Sequence, residues 1–149
     1  MTVSRKTIRD GLAGPTGILT TALSSMVGEV VPYRPSVLNA TPGVYIRSIS
    51  ADRPPLTVVG KFTKFIVAVL IIVRQSDTTA TPAWTEAKAD DLLDDIEAVI
   101  CATLSANKSL AGVWNTVEYD KPSQVDHFLE QGIPYIMEAI FLRVEVTRE

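Results

Sequence analysis

The 149 residues contain one cysteine and one histidine. A lone Cys101 excludes an internal disulfide framework and a cysteine zinc site. It falls on the apolar side of a predicted helix, where a buried thiol is expected. The only imidazole is His127, and its neighbour Asp126 cannot form a dyad with it, because adjacent strand residues point to opposite faces. No serine sits in a G-x-S-x-G turn, so nucleophilic catalysis has no candidate. The glycines of Gly11-Leu12-Ala13-Gly14-Pro15-Thr16-Gly17 lack the preceding strand and the following lysine and hydroxyl that a phosphate loop needs. The longest apolar run, Phe65–Val73, is far short of the roughly 20 residues of a membrane-spanning helix. No apolar signal core follows the basic opening Ser4-Arg5-Lys6, so synthesis is expected to end in a cytoplasm.

What is present is apolar bulk and separated charge. Hydrophobic residues make up 46% of the chain and mean hydropathy is +0.20. A single small core can hardly hide all of them, so part is expected at a subunit interface. The formal charge of −3 argues against nucleic acid as the main ligand. Glu86, Asp90, Asp91, Asp94, Asp95 and Glu97, opposed only by Lys88, crowd one predicted helix, which leaves the remainder net positive. Arg5, Lys6 and Arg9 open the chain, and Arg34, Arg47, Arg53, Lys61 and Lys64 follow before the apolar run. Separated charge of both signs attracts copies of the same chain, less so in salt.

Ser4 is a plausible N-cap for a first helix to Asp10, broken at Gly14-Pro15 and resumed from Thr16 to Ser25. Val27–Tyr33 predicts a short strand and Gly43–Ser50 an alternating, half-exposed one. Asp52-Arg53-Pro54-Pro55 cannot continue a ladder, because two prolines donate no N–H, so 51–60 is expected to project as an arm. Phe65–Val73 is rich in β-branched residues and reads as a strand buried on both faces, antiparallel to Gly43–Ser50.

Thr81-Pro82 predicts the start of a long helix to Asn107. Its stripe Ala89, Leu92, Leu93, Ile96, Val99, Ile100, Thr103 and Leu104 docks it on the sheet, with gross burial on the order of 10 kcal/mol before entropy. Val113–Tyr119 predicts a strand and 120–123 a turn or loop. A hairpin of Val125–Glu130 and Tyr135–Thr147 follows around Gln131-Gly132-Ile133-Pro134. In the last strand Ile140, Leu142, Val144 and Val146 face inward, while Phe141, Arg143, Glu145 and Thr147 face out and guard an edge. The expected fold is α+β over 1–149: one domain, a mostly antiparallel sheet, one long amphipathic helix on a face and an N-terminal helix.

Asp90 with Asp94, and Asp91 with Asp95, lie one turn apart and could share Mg²⁺ or Ca²⁺. No further ligands accompany them, so a solvated or partner-facing helix surface is the expectation. The arm around Asp52, Arg53, Pro54 and Pro55, constrained and tipped by charge, suits partner contact.

The opening Val3-Ser4-Arg5-Lys6-Thr7-Ile8-Arg9, the strand Gly43-Val44-Tyr45-Ile46-Arg47 with its Pro54-Pro55 arm, Trp84-Thr85-Glu86-Ala87 and the closing Ile133-Pro134-Tyr135 together carry a resemblance of layout. The chain resembles the tail terminator, or tail completion, proteins of long-tailed bacteriophages and gene transfer agents. The resemblance implies a non-enzymatic virion protein without metal or cofactor. It would form a homo-oligomeric ring, typically a hexamer, at the head-proximal end of the tail. There it stops growth of the major tail tube protein and docks the head-completion or neck proteins, and DNA passes through the lumen without specific binding. Under that reading Arg5, Lys6, Arg9 and the arm are interface candidates. Asp90, Asp91, Asp94 and Asp95 are candidates for a lumen lining or an acidic interface. A head-completion or neck connector protein is the near alternative. A small ligand-binding regulatory domain, using the sheet face opposite the helix, is the alternative from another class.

Overall fold

The computed structural model describes residues 3–38, 41–55, 62–79 and 83–147. Helices α1 (Arg5–Ala13) and α2 (Ile18–Leu23) precede strands β1 (Glu29–Val31), β2 (Gly43–Asp52) and β3 (Phe62–Arg74). Helix α3 (Glu86–Ala106) is followed by β4 (Thr116–Glu130) and β5 (Ile133–Thr147). The strands form one sheet in the order β1-β2-β3-β5-β4. Only the β1–β2 pairing is parallel. The fold is α+β, with helices on one face.

Local chemistry explains most element boundaries. Ser4 caps α1 reciprocally with Thr7, each side chain bonding the other's backbone N–H. Gly17 must be small, because a β-carbon there would lie 2.6 Å from the Leu12 carbonyl. The β4–β5 turn is Gln131-Gly132, with φ of 52° and 76°, the left-handed pair that a two-residue hairpin requires.

Helix α3 begins later than the Thr81-Pro82 signal suggests. Ala83–Thr85 is not helical and Thr85 is the N-cap, while Thr81 and Pro82 lie outside the described residues. Trp84 is the reason: its backbone pairs with Asp77 in a short bridge, and its buried indole donates to the Arg74 carbonyl at 2.8 Å. Trp114 does the same service at the other end, donating to the Asn107 carbonyl at 3.0 Å. The helix is thus pinned at both ends, and Ala89, Leu93, Ile96, Ile100 and Leu104 are buried against Val67, Val69, Ile71, Ile140 and Leu142.

Two expectations about the C-terminal half are corrected. Residues 120–123 do not form a separate loop: β4 runs through them, with register shifts between Tyr119 and Lys121 and between Lys121 and Gln124. Bulges absorb Pro122, whose missing N–H an edge strand tolerates. Nor is β5 an edge. It pairs with β3 along its length on one side and with β4 on the other, and β4 is the outer strand. Phe141, expected to face out, is buried on the far side of the sheet, under the Lys121 ammonium 4.2 Å from its ring centroid.

Candidate interaction surfaces and an acidic cleft

Of the basic residues singled out from sequence, Arg5, Lys6, Arg9, Arg47 and Arg53 gather at the β2 side of the sheet, whereas Lys64 lies on β3, Arg34 reaches Glu130 of β4, and Lys61 lies outside the described residues. Arg5, Lys6 and Arg9 all lie on α1, which packs against β2, and Arg9 Nη1 donates to Ser48 Oγ at 2.9 Å. Arg47 lies on β2, and Arg53 just beyond it stacks its guanidinium 5.9 Å from the Phe65 ring centroid. Asp52 ends β2, while Arg53, Pro54 and Pro55 follow without regular structure. The rest of the predicted arm, 56–60, lies outside the described residues. Lys6 pairs with Asp10 at 2.7 Å on an exposed surface, an interaction of little energetic consequence.

The acidic residues do not form one face. Helical geometry at 100° per residue puts Asp90, Asp94, Glu97 and Cys101 on the flank of α3. Asp91 and Asp95 point directly away from the buried stripe. The flank faces β4, because Glu97 and Cys101 share a cleft with Tyr119, Pro122 and Ser123, and Asp94 and Glu97 also act on Glu138 of β5. Asp90, Asp91, Asp94 and Asp95 are all exposed, and among the described residues no group of three ligating side chains is placed to hold a metal ion.

Glu138 was not singled out by sequence reading, although its phase between Ile136 and Ile140 puts a carboxyl group among inward-facing residues. It is 4% exposed, and its Oε1 is buried without a hydrogen-bond partner among the described residues. Burial pushes its pKa up to about 7, helped by the close approach and charge of Glu97 and the charge of Asp94, while Ser123 opposes the shift. Next to it opens a cleft of about 360 Å³ between α3 and the β4 bulge, lined by Glu97, Cys101, Tyr119, Lys121, Pro122, Ser123 and Ile140. Tyr119 lies 53% exposed at its rim, its pKa pushed up to about 12 by partial burial and then by Cys101 and Glu97.

A second concavity lies on the opposite face of the sheet. Segment 32–38 crosses that face from β1, and Arg34 reaches Glu130 of β4 at 3.1 Å. Beneath it Tyr45 is fully buried, its hydroxyl donating to Glu29 at 2.6 Å. Burial first, and that hydrogen bond second, push its pKa well above the ordinary value. Beyond the segment an open groove of about 830 Å³ runs over Ala68, Leu70, Met137, Ala139 and Phe141, with Arg9, Arg47 and Asp126 on its rim.

His127 and Asp126 pair across with Ile136 and Met137, which belong to opposite faces, so they form no dyad. No described helix is long and apolar enough to cross a membrane. No family model matches the chain, and no curated protein matches it.

Proposed function

We propose that the chain is a structural ring protein of the phage tail terminator type, most simply a hexamer. It would sit at the head-proximal end of a tail tube, ending tube growth and giving the neck its docking surface. The observation that carries this reading is the placement of charge. Arg5, Lys6 and Arg9 of α1, Arg47 of β2 and Arg53 just beyond it lie toward one edge, whereas the exposed acidic flank of α3 lies toward the other; the β4 acids Glu118 and Asp120 are met within the chain by Arg143. Two strands separate β2 from β4, about 14 Å at sheet spacing, which exceeds the Debye length of about 8 Å in physiological salt. Apart from Arg34, which reaches Glu130, opposite charges that far apart neutralise each other poorly within one molecule. They are well placed to meet between molecules, one patch against a different one, which is the requirement for ring closure.

The reading assigns the chain a structural role rather than a catalytic one. Among the described residues the acidic cleft gathers carboxylates without an imidazole or a metal-binding group of three ligands, and the Tyr45, Glu29, Arg34 and Glu130 cluster is engaged in hydrogen bonds that hold segment 32–38. Asp91 and Asp95, directed outward, are the acids best suited to line a channel that repels DNA phosphates.

Light scattering across protein concentration tests the reading: a discrete ring is expected, weakening as salt rises. Added tail tube protein should then polymerise to a limited length. A monomer at every concentration that leaves tube growth unchanged overturns the proposal. The open groove supports one other reading, a small-molecule-binding regulatory domain. A tightly bound apolar anion recovered from the purified monomer would favour it.

A further inference from the structure

The cleft beneath α3 has a feature that its charge alone does not explain. Glu138 Oε1 is a buried acceptor without a donor, under a pocket whose helix wall carries Glu97 and, beside it, Asp94. The nearest cation on β4 does not relieve it, since the Lys121 ammonium sits over the Phe141 ring on the sheet's other face. The groups acting on Glu138 are Asp94 and Glu97 from α3 and Ser123 from β4, and the one basic residue lining the cleft among the described residues, Lys121, turns its ammonium away onto the Phe141 ring.

We propose that this cleft receives a basic side chain from α1 of a neighbouring copy. The inference rests on the ring reading above and supplies its contact. Three observations select the occupant. A metal ion is disfavoured, because no three ligating side chains converge suitably among the described residues. The cleft is roomy and partly apolar, with Ile140, Pro122 and the Tyr119 ring on its walls, which suits the aliphatic stem of lysine or arginine below a multidentate head. The cationic α1 supplies such heads: Arg5 is exposed and without an ion-pair partner among the described residues, and the Lys6 side chain is 78% exposed.

The arrangement carries a pH signature. A cation in the cleft favours the ionised form of Glu138, whose pKa is about 7 in the free chain. Each contact formed below that pH must therefore release a proton, and association strengthens as pH rises from about 6 to about 8.

The test compares association of the full chain and of Glu138→Gln, by sedimentation at both pH values, alongside thermal melting. The expected result is a loss of association of at least about tenfold for Glu138→Gln at the higher pH, with the pH dependence abolished and the melting temperature unchanged or raised. Glu97→Gln, at a half-exposed helix position, should reproduce the loss in milder form. Combining Glu138→Gln with Arg5→Gln and Lys6→Gln should weaken association no further than either set alone. A wild-type ring that Glu138→Gln and Glu97→Gln leave intact overturns the cleft contact and spares the ring. A wild-type chain that stays monomeric removes both. Stabilisation of the monomer by millimolar Ca²⁺, lost in Glu138→Gln, assigns the cleft to a metal ion and overturns the side-chain occupant.

Discussion

On its helix side the sheet presents Val44, Ile46, Val67, Val69, Ile71, Ile140, Leu142 and Val144, all buried under α1, α2 and α3. On its other side segment 32–38 lies over Tyr45, Ile72 and Tyr135, while Ala68, Leu70, Ala139 and Phe141, also buried, floor an open groove with no helix over it. Large aliphatic, mostly β-branched residues fill the face that a helix must press against, whereas the small Ala68 and Ala139 interrupt larger residues on the face left concave. The same strands alternate between these two tasks along β3 and β5, so the difference between the faces is written residue by residue. Stability should therefore reside chiefly on the helix side, and contacts with other molecules should be sought on the open face and along the α3–β4 seam.

Truncation should expose that asymmetry most sharply. Ile100→Ala, beneath α3 and fully buried, is expected to cost about 3–4 kcal/mol in urea unfolding, the usual range for a large aliphatic in a packed core. Glu138 should give the next largest effect, with the opposite sign. Its pKa of about 7 in the fold against an ordinary 4.5 means that its contribution to stability is complete below pH 4.5 and lost as pH rises through 7. Glu138→Gln should thus gain on wild type by on the order of 3 kcal/mol above pH 7 and by little in acid, measured as unfolding free energy against pH. On the open face Met137→Ala should cost only about 1–2 kcal/mol, because the half-buried side chain borders the groove and its loss leaves a wetted surface rather than a sealed cavity. A Met137→Ala penalty equal to that of Ile100→Ala would erase the contrast between the faces. Lys6→Ala, which removes an exposed ion pair within α1, should change stability by less than about 0.5 kcal/mol.

The fold was legible where periodicity and local chemistry agree. Ser4 announced α1, Gly14-Pro15 ended it, and Phe65–Val73 lies in β3, paired antiparallel with β2 as its composition implied. Sequence misled where a long-range partner decides. Thr81-Pro82 has the form of a helix start, yet Trp84 is drawn into the core beside Arg74 and delays α3 to Glu86. Lys121-Pro122 reads as a break, yet pairing with Phe141 and Ala139 carries β4 past it through bulges. Alternation in β5 correctly separated Leu142 from Arg143, but it could not reveal that β4 would lie outside β5. The candidate site was half visible. The acids of α3 were plain in the sequence, and Asp94 does act on the cleft, whereas Glu138 was hidden by its apolar neighbours and gained meaning only when Glu97 was brought opposite.

Trp84 and Trp114 are the only tryptophans, and each anchors a different end of α3 through its indole N–H. Intrinsic fluorescence of this protein is therefore a two-channel gauge of one helix. With Trp114→Phe the remaining emission reports the start of α3 at Arg74, and with Trp84→Phe it reports the end at Asn107. Fraying from either terminus can be timed separately, without an added dye.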